Sequence, residues 1–343
     1  MFASIVLIAF LLFQAPEQGR QGQAPQPSPT PTATPQQRPQ PSPTPEEPPV
    51  VTKHEIRVNG STIKYTAIAG MMPIKNREGE VEARMFFTSY VVDRPEGATR
   101  PLTFSFNGGP GSASVWLHMG AIGPKRVKMN ADGTMPAPPF ELVDNEGTWL
   151  TKSDLVFIDP VGTGYSRPAR PDLGAKFFGL QGDIESVGEF IRMYLTRYER
   201  WTSPLFLAGE SYGTTRASAL AGYLIERGIA FNGIMLISTI MNFGTTSFAS
   251  GNDLPYALFL PSYAATAWYH KKLPADLQSK PVNRVVAEAE AWASGEYMLA
   301  LGKGGRLTPE ERQDTIAKLA RYTGLDTKFL DYANLRVSLN LFR

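Results

Sequence analysis

The chain has 343 residues, 42% of them hydrophobic, with 34 basic and 32 acidic side chains for a formal charge of +2. That composition suits a globular protein and gives no electrostatic pull toward nucleic acid or an anionic membrane surface. It contains no cysteine, which excludes disulfides, thiolate metal sites, a cysteine nucleophile and a lipid-modified N-terminal Cys.

Phe2 to Phe13 is an apolar run that fits the hydrophobic segment of an export signal but falls short of the ~20 residues that span a bilayer as a helix. Residues 1–14 are therefore expected to be a signal peptide or anchor, and the protein to be exported: periplasmic, secreted or surface-tethered. The basic n-region is missing and Phe13-Gln14-Ala15 is a poor cleavage site, so a truncated gene start is the alternative. Residues 15–50 are dominated by Pro, Gln, Ser and Thr, which bury too little apolar surface to offset chain entropy, and read as a disordered Pro-rich linker.

Short β-type runs follow, Ile63 to Ala67 and Arg84 to Val92, then Leu102 to Phe106 leading into Asn107-Gly108-Gly109-Pro110-Gly111. The apolar run Leu155 to Ile158 ends in a second loop, Asp159-Pro160-Val161-Gly162-Thr163-Gly164. Apolar residues at helical spacing between Gly182 and Arg200 precede a strand at Leu205 to Ala208. Thr214 to Arg227 reads as an Ala-rich helix ended by Gly228, and Gly233 to Ile237 as another buried strand. Alternating β and α with apolar strands predicts a mostly parallel sheet covered on both faces. The expected organisation is an α/β core over 51–241 and a helical cap over 242–343, with Ala-rich helices at Val285–Gly295 and Pro309–Tyr322.

Gly209-Glu210-Ser211-Tyr212-Gly213 matches G-x-S-x-G between a strand and a helix, where a tight turn lifts the serine Oγ out of the sheet. Ser211 is the expected nucleophile of an α/β-hydrolase fold, against the plainer reading of a serine in an ordinary βα turn. The oxyanion donors of that fold are the N–H after the nucleophile and one from a glycine loop, here Tyr212 and Gly109.

The three segments Asn107-Gly108-Gly109-Pro110-Gly111-Ser112, Asp159 to Ser166 and Gly209 to Gly213 stand in the order found in the serine carboxypeptidases. The chain resembles that family, in a bacterial-type form, over about Ile63 to Met241. The resemblance implies removal of C-terminal residues from peptides through an acyl-enzyme on Ser211, with a peptide or protein C-terminus as substrate and no cofactor. It also implies that Asn107, Gly108 and Glu210 bind the substrate's terminal carboxylate, for which Glu210 has to carry a proton. The plainer reading of Glu210 is an acid complementing a helix N-terminus.

Three departures from the family pattern stand out. Family members usually place another Glu before the Gly-Pro that closes Gly120-Ala121-Ile122-Gly123-Pro124; here that acid is missing, which puts the carboxylate clamp and an acidic optimum in doubt. A Cys common after the glycine loop is Ser112. More seriously, the triad order is Ser, acid, His, and only His270 follows Ser211, in the expected cap beside Asp253 and Asp276. His54 and His118 precede the nucleophile and read as polar or packed residues. The triad acid and base are thus not found, and the chain is expected to be a C-terminally truncated, inactive fragment with an exposed sheet edge.

Other readings remain open: an esterase, an acyltransferase, a proline aminopeptidase, or a non-catalytic remnant or binding protein. Proline aminopeptidases usually carry His where Asn107 stands and Asp-Gln-Arg where Asp159-Pro160-Val161 stands. The three histidines show no metal-ligand spacing, so no metal is expected. Gly162-Thr163-Gly164 lacks the third glycine of a dinucleotide fingerprint, Gly302 to Gly305 lacks phosphate-loop spacing, and Asn59-Gly60-Ser61 is formally a glycosylation site.

Overall fold

The computed structural model describes residues 46–95 and 97–342. The expected signal over 1–14 and the linker as far as residue 45 lie outside the described residues. Strand β1 (Val50–Val58) pairs antiparallel with β2 (Ser61–Lys75), which pairs antiparallel with β3 (Val81–Val92). Asn59 and Gly60 join the first pair with φ of 48° and 78°, the left-handed geometry of a two-residue hairpin turn that Asn-Gly favours. Strand β2 runs well beyond the expected Ala67, through Gly70 and Pro73. β1 pairs only as far as Ala69, so Pro73, which has no N–H to donate, sits where β2 has a free edge.

Strand β4 (Leu102–Phe106) is followed by a small two-stranded sheet of β5 (Lys125–Val127) and β6 (Leu142–Asp144), then β7 (Asp154–Ile158) and the two-residue β8 (Arg167–Pro168), which pairs with β3. Strands β9 (Leu205–Glu210) and β10 (Gly233–Ile237) complete the main sheet, whose order is β1-β2-β3-β7-β4-β9-β10. From β7 onward the neighbours are parallel. The chain thus passes from β4 to β7 on one side and then to β9 on the other, making the carboxyl end of β4 a topological switch point, where open α/β sheets bind ligands. This mixed sheet, antiparallel up to β3 and parallel from β7 on, with its helices is an α/β-hydrolase fold.

Helix α1 (Leu180–Arg197) and helix α2 (Tyr212–Ile225) cross one face of the sheet. Ile184, Val187, Phe190, Ile191, Tyr194 and Leu195, at helical spacing, pack with Phe87, Phe104 and Leu207 from the strands. On the other face Ile56, Tyr65, Leu117, Leu150, Leu155 and Phe157 form a second cluster. After β10 the chain is helical, with α3 (Leu254–Tyr269), α4 (Val282–Trp292) and α5 (Pro309–Thr323) around Leu260, Tyr263, Trp292, Tyr297, Ile316 and Leu319. Helix α5 starts on a capping box between Thr308 and Glu311 and stops at Gly324, whose φ is 69°.

One expectation is overturned. The apolar run of β10 does not make a buried strand: its residues alternate between half-buried and exposed, with Ile234 at 40% and Leu236 at 43% exposure. β10 is the last strand of the sheet, and among the described residues none pairs with its outer side.

Candidate active site

Residues Asn107 and Glu210 continue two neighbouring strands. In the β4–β9 ladder Phe106 stands opposite Gly209, so the glycine loop and the Ser211 turn leave the sheet side by side. Ser211 has φ 57° and ψ −125°, a conformation that strains any side chain-bearing residue and persists where the surroundings enforce it. The flanking glycines are part of that enforcement. A Cβ on Gly209 would lie 2.1 Å from the Gly213 carbonyl oxygen, and one on Gly213 would lie 2.9 Å from that of Phe106.

The glycine loop rests directly on the Ser211 turn. A Cβ on Gly108 would lie 2.4 Å from the Tyr212 nitrogen and 2.6 Å from that of Gly213, so only glycine allows this approach. Among the described residues the N–H groups of Gly108, Gly109 and Tyr212 donate to no other group. For Gly108, which is buried, a free donor is an unusual state, since buried backbone groups are almost always paired.

Asn107 is only 1% exposed and has its orientation fixed on three sides. Its Oδ1 accepts from the Leu117 N–H at 3.0 Å, which leaves Nδ2 to donate to Glu210 Oε2 at 3.0 Å. Its backbone oxygen accepts from Arg216 Nη1 at 2.7 Å. The structure therefore brings Asn107, Gly108, Glu210, Ser211 and Tyr212 together.

The loop after β7 braces this arrangement from the other side of β4. Asp159 Oδ1 accepts from the Ser114 N–H at 2.9 Å, and the Ser166 hydroxyl, 2.6 Å from the Asp159 carbonyl, accepts from the Phe86 N–H at 2.7 Å. Burial pushes the Asp159 carboxyl above the usual range, offset in part by the Ser114 and Tyr165 N–H groups.

Two residues that sequence reasoning missed also belong to the neighbourhood. Arg216, on α2, is 2% exposed, and its Nε donates to both Asp183 carboxylate oxygens at 3.0 and 2.8 Å. Burial raises the Asp183 carboxyl above its ordinary range while the Arg216 guanidinium opposes that shift. Asp183 and Arg216 lie 33 positions apart, and no local pattern announces the pair.

None of the histidines joins Ser211. His54 is on β1, with Nε2 2.7 Å from the Thr52 hydroxyl. His118 has Nε2 2.5 Å from the Tyr90 hydroxyl and stacks on Phe157 at 4.4 Å, and burial lowers its pKa to about 4. His270 follows α3 and lines a cavity with Phe259, Thr266 and Phe342 in the helical layer. Asp253 pairs with Arg336 and Asp276 with Arg321, so both acids near His270 are engaged elsewhere.

Residues 60–288 match the family model described as serine carboxypeptidase. The chain is 34% identical over 159 residues to the pheromone-processing carboxypeptidase KEX1 of Saccharomyces cerevisiae, covering 42% of this chain and 20% of that protein. It is 30% identical over 173 residues to the serine carboxypeptidase-like protein 16 of Arabidopsis thaliana, covering 48% of this chain and 38% of the relative. The crystal structure of the S. cerevisiae prohormone-processing carboxypeptidase Kex1(delta)p aligns with a TM-score of 0.45 at 22% identity, over 76% of this chain and 53% of that one. The matched part therefore spans well under half the length of these curated relatives. With a family model covering most of its length and laid over both the glycine loop and the Ser211 turn, the chain belongs to the serine carboxypeptidase family.

Proposed function

We propose that the chain carries the nucleophile and the carboxylate-recognition half of a serine-type carboxypeptidase site. Ser211 Oγ attacks the scissile carbonyl to form an acyl-enzyme, the N–H groups of Gly109 and Tyr212 hold the oxyanion, and Asn107 Nδ2, the Gly108 N–H and Glu210 receive the free C-terminal carboxylate. The observation that carries this reading is the free, buried Gly108 N–H at the switch point, beside an Asn107 Nδ2 that donates one of its two hydrogens to Glu210. Turnover needs a base and an acid behind it, and none of this chain's three histidines is bonded to Ser211. That observation favours a second reading, a non-catalytic protein that binds C-termini through the same cluster. Ala121, where a second carboxylate is expected, favours a third, esterase or acyltransferase chemistry. The hydrophobic start of the sequence and the Pro-rich stretch after it support export; among the described residues no helix is long and apolar enough to cross a membrane.

The test compares a blocked dipeptide acid with its amide, by calorimetric binding and by kcat/KM from pH 4 to 8. The carboxypeptidase reading expects the acid to bind and turn over at least about tenfold better, since amidation removes charge-assisted hydrogen bonds. Binding of the acid without turnover selects the second reading. Equal treatment of acid and amide, with turnover, selects the esterase or acyltransferase reading.

A further inference from the structure

Arg216 is among the most deeply buried charged residues of the chain, and it reaches three segments at once. Its Nε is held by Asp183 in the first turn of α1, its Nη1 donates to the Asn107 carbonyl at the end of β4, and its guanidinium carbon lies 5.1 Å from the Phe106 ring centroid and 5.2 Å from that of Tyr212. Burial, and then the charge of the same Asp183 carboxylate, raise the Tyr212 hydroxyl above its ordinary pKa. Stability alone is a weak reason for such an arrangement, because a buried ion pair gains little over well-packed apolar side chains. The Asn107 carbonyl shares a rigid peptide plane with the Gly108 N–H, which points the opposite way. Whatever fixes the carbonyl therefore aims that N–H, and the same N–H is buried and free.

We propose that Arg216, held in place by Asp183, is a positioning residue for carboxylate recognition: by gripping the Asn107 carbonyl it turns the Gly108 N–H toward the C-terminal carboxylate of the bound peptide. The inference rests on the carboxypeptidase reading for the identity of the ligand, but the aiming of the peptide plane is testable without it. Lysine cannot substitute, since one ammonium lacks the planar fork that spans Asp183 and the Asn107 carbonyl together.

The experiment uses the full chain labelled with 15N-glycine, as wild type, Arg216→Lys and Asp183→Asn, each checked for native circular dichroism and cooperative unfolding. Two quantities are read: the Gly108 amide resonance without ligand, and the dissociation constants of the dipeptide acid and amide. A shifted Gly108 resonance in both variants is expected, together with an acid affinity about tenfold to hundredfold weaker, the loss of one charge-assisted hydrogen bond. Amide affinity should stay unchanged. A purely structural pair would lower the melting temperature and leave the Gly108 resonance and the acid-to-amide ratio as in the wild type, which overturns the proposal. If Arg216→Lys does not fold, Asp183→Asn, which keeps an acceptor oxygen of the same shape, decides by the same two readings. A wild type that ignores the difference between acid and amide overturns the carboxypeptidase reading, and the Gly108 shift then reports separately on the positioning.

Discussion

Asn107 Nδ2 donates to Glu210 Oε2 at 3.0 Å across the ends of adjacent parallel strands. The bond joins the residue that opens the glycine loop to the residue that precedes Ser211, so each loop limits the freedom of the other. Removing the Asn107 side chain undoes two contacts at once, to the Leu117 N–H and to the Glu210 carboxylate, and frees the backbone whose carbonyl Arg216 grips.

Asn107→Ala should therefore lower stability by about 1–3 kcal/mol, the usual cost of stranding a buried donor. A urea titration reads this directly. An unchanged midpoint would mean that the glycine loop is held by its brace to Asp159 and not by Asn107.

Glu210→Gln keeps an oxygen to accept from Asn107 and, in the proposed site, presents an amide donor to the ligand's carboxylate. Binding of the dipeptide acid at pH 8 should tighten by about tenfold, the worth of one added hydrogen bond to a carboxylate. Calorimetry at pH 8 checks it, and weaker binding in the variant would remove Glu210 from the carboxylate site.

Asp154 is fully buried and accepts from Arg94, Arg100 and Arg200 at 2.7, 3.0 and 2.8 Å. Asp154→Asn leaves three guanidinium groups without their counter-charge, one of them, Arg200, only 5% exposed. The expected loss is about 3–5 kcal/mol, with little dependence on salt because Asp154 and Arg200 are both buried. A loss below about 1 kcal/mol, typical of surface pairs, would contradict the burial.

His118 gives the stability a pH dependence of known sign. Its folded pKa, about 4, lies below the ordinary unfolded value of about 6.5, so the folded protein takes up the proton less readily than the unfolded chain. Its contribution is fully present above pH 6.5 and is lost as pH falls toward 4, up to about 3 kcal/mol in total. The raised carboxyls of Asp159 and Asp183 act in the opposite direction, gaining stability as they protonate, so the informative quantity is a difference. Wild type minus His118→Phe, measured by chemical denaturation from pH 8 to 4, should slope across that window. A flat difference would show that the imidazole is hydrated.

The Ser211 turn was legible because its requirements are local: two glycines, a strand before and a helix after. The glycine loop was legible because Asn107 to Gly111 directly follows an apolar strand. Arg216 was not, since an arginine in an Ala-rich helix reads as a solvated side chain until the fold brings Asp183 beneath it. β10 was misread for a related reason: an apolar run reports what the residues are, while burial depends on what covers them. Pro73 and Gly70 hid half of β2, because the free edge that tolerates a proline is a property of where β1 stops.

Ser211 can be tested by a fluorophosphonate reagent: Oγ of an accessible, activated serine attacks phosphorus, the P–F bond breaks, and fluoride leaves as the hydroxyl proton passes to a base or to water. In the proposed site the free N–H groups of Gly109 and Tyr212 are the oxyanion half of that reactivity, whereas no histidine is bonded to Ser211 to take the Oγ proton. Loss of the base alone typically lowers a triad hydrolase by about 10⁴- to 10⁶-fold and leaves about 10³- to 10⁴-fold over water from the oxyanion donors and binding. Labelling of this chain should therefore be slow, detectable by mass over hours, confined to Ser211 and abolished in Ser211→Ala. It should also fall in Gly108→Ala, whose added methyl must push the glycine loop away from the Tyr212 nitrogen now 2.4 Å from that position. Labelling that persists in Ser211→Ala places the reactive group elsewhere. Rapid labelling of the wild type, at the rate of an intact triad, would mean that one of the three histidines reaches Ser211 after all.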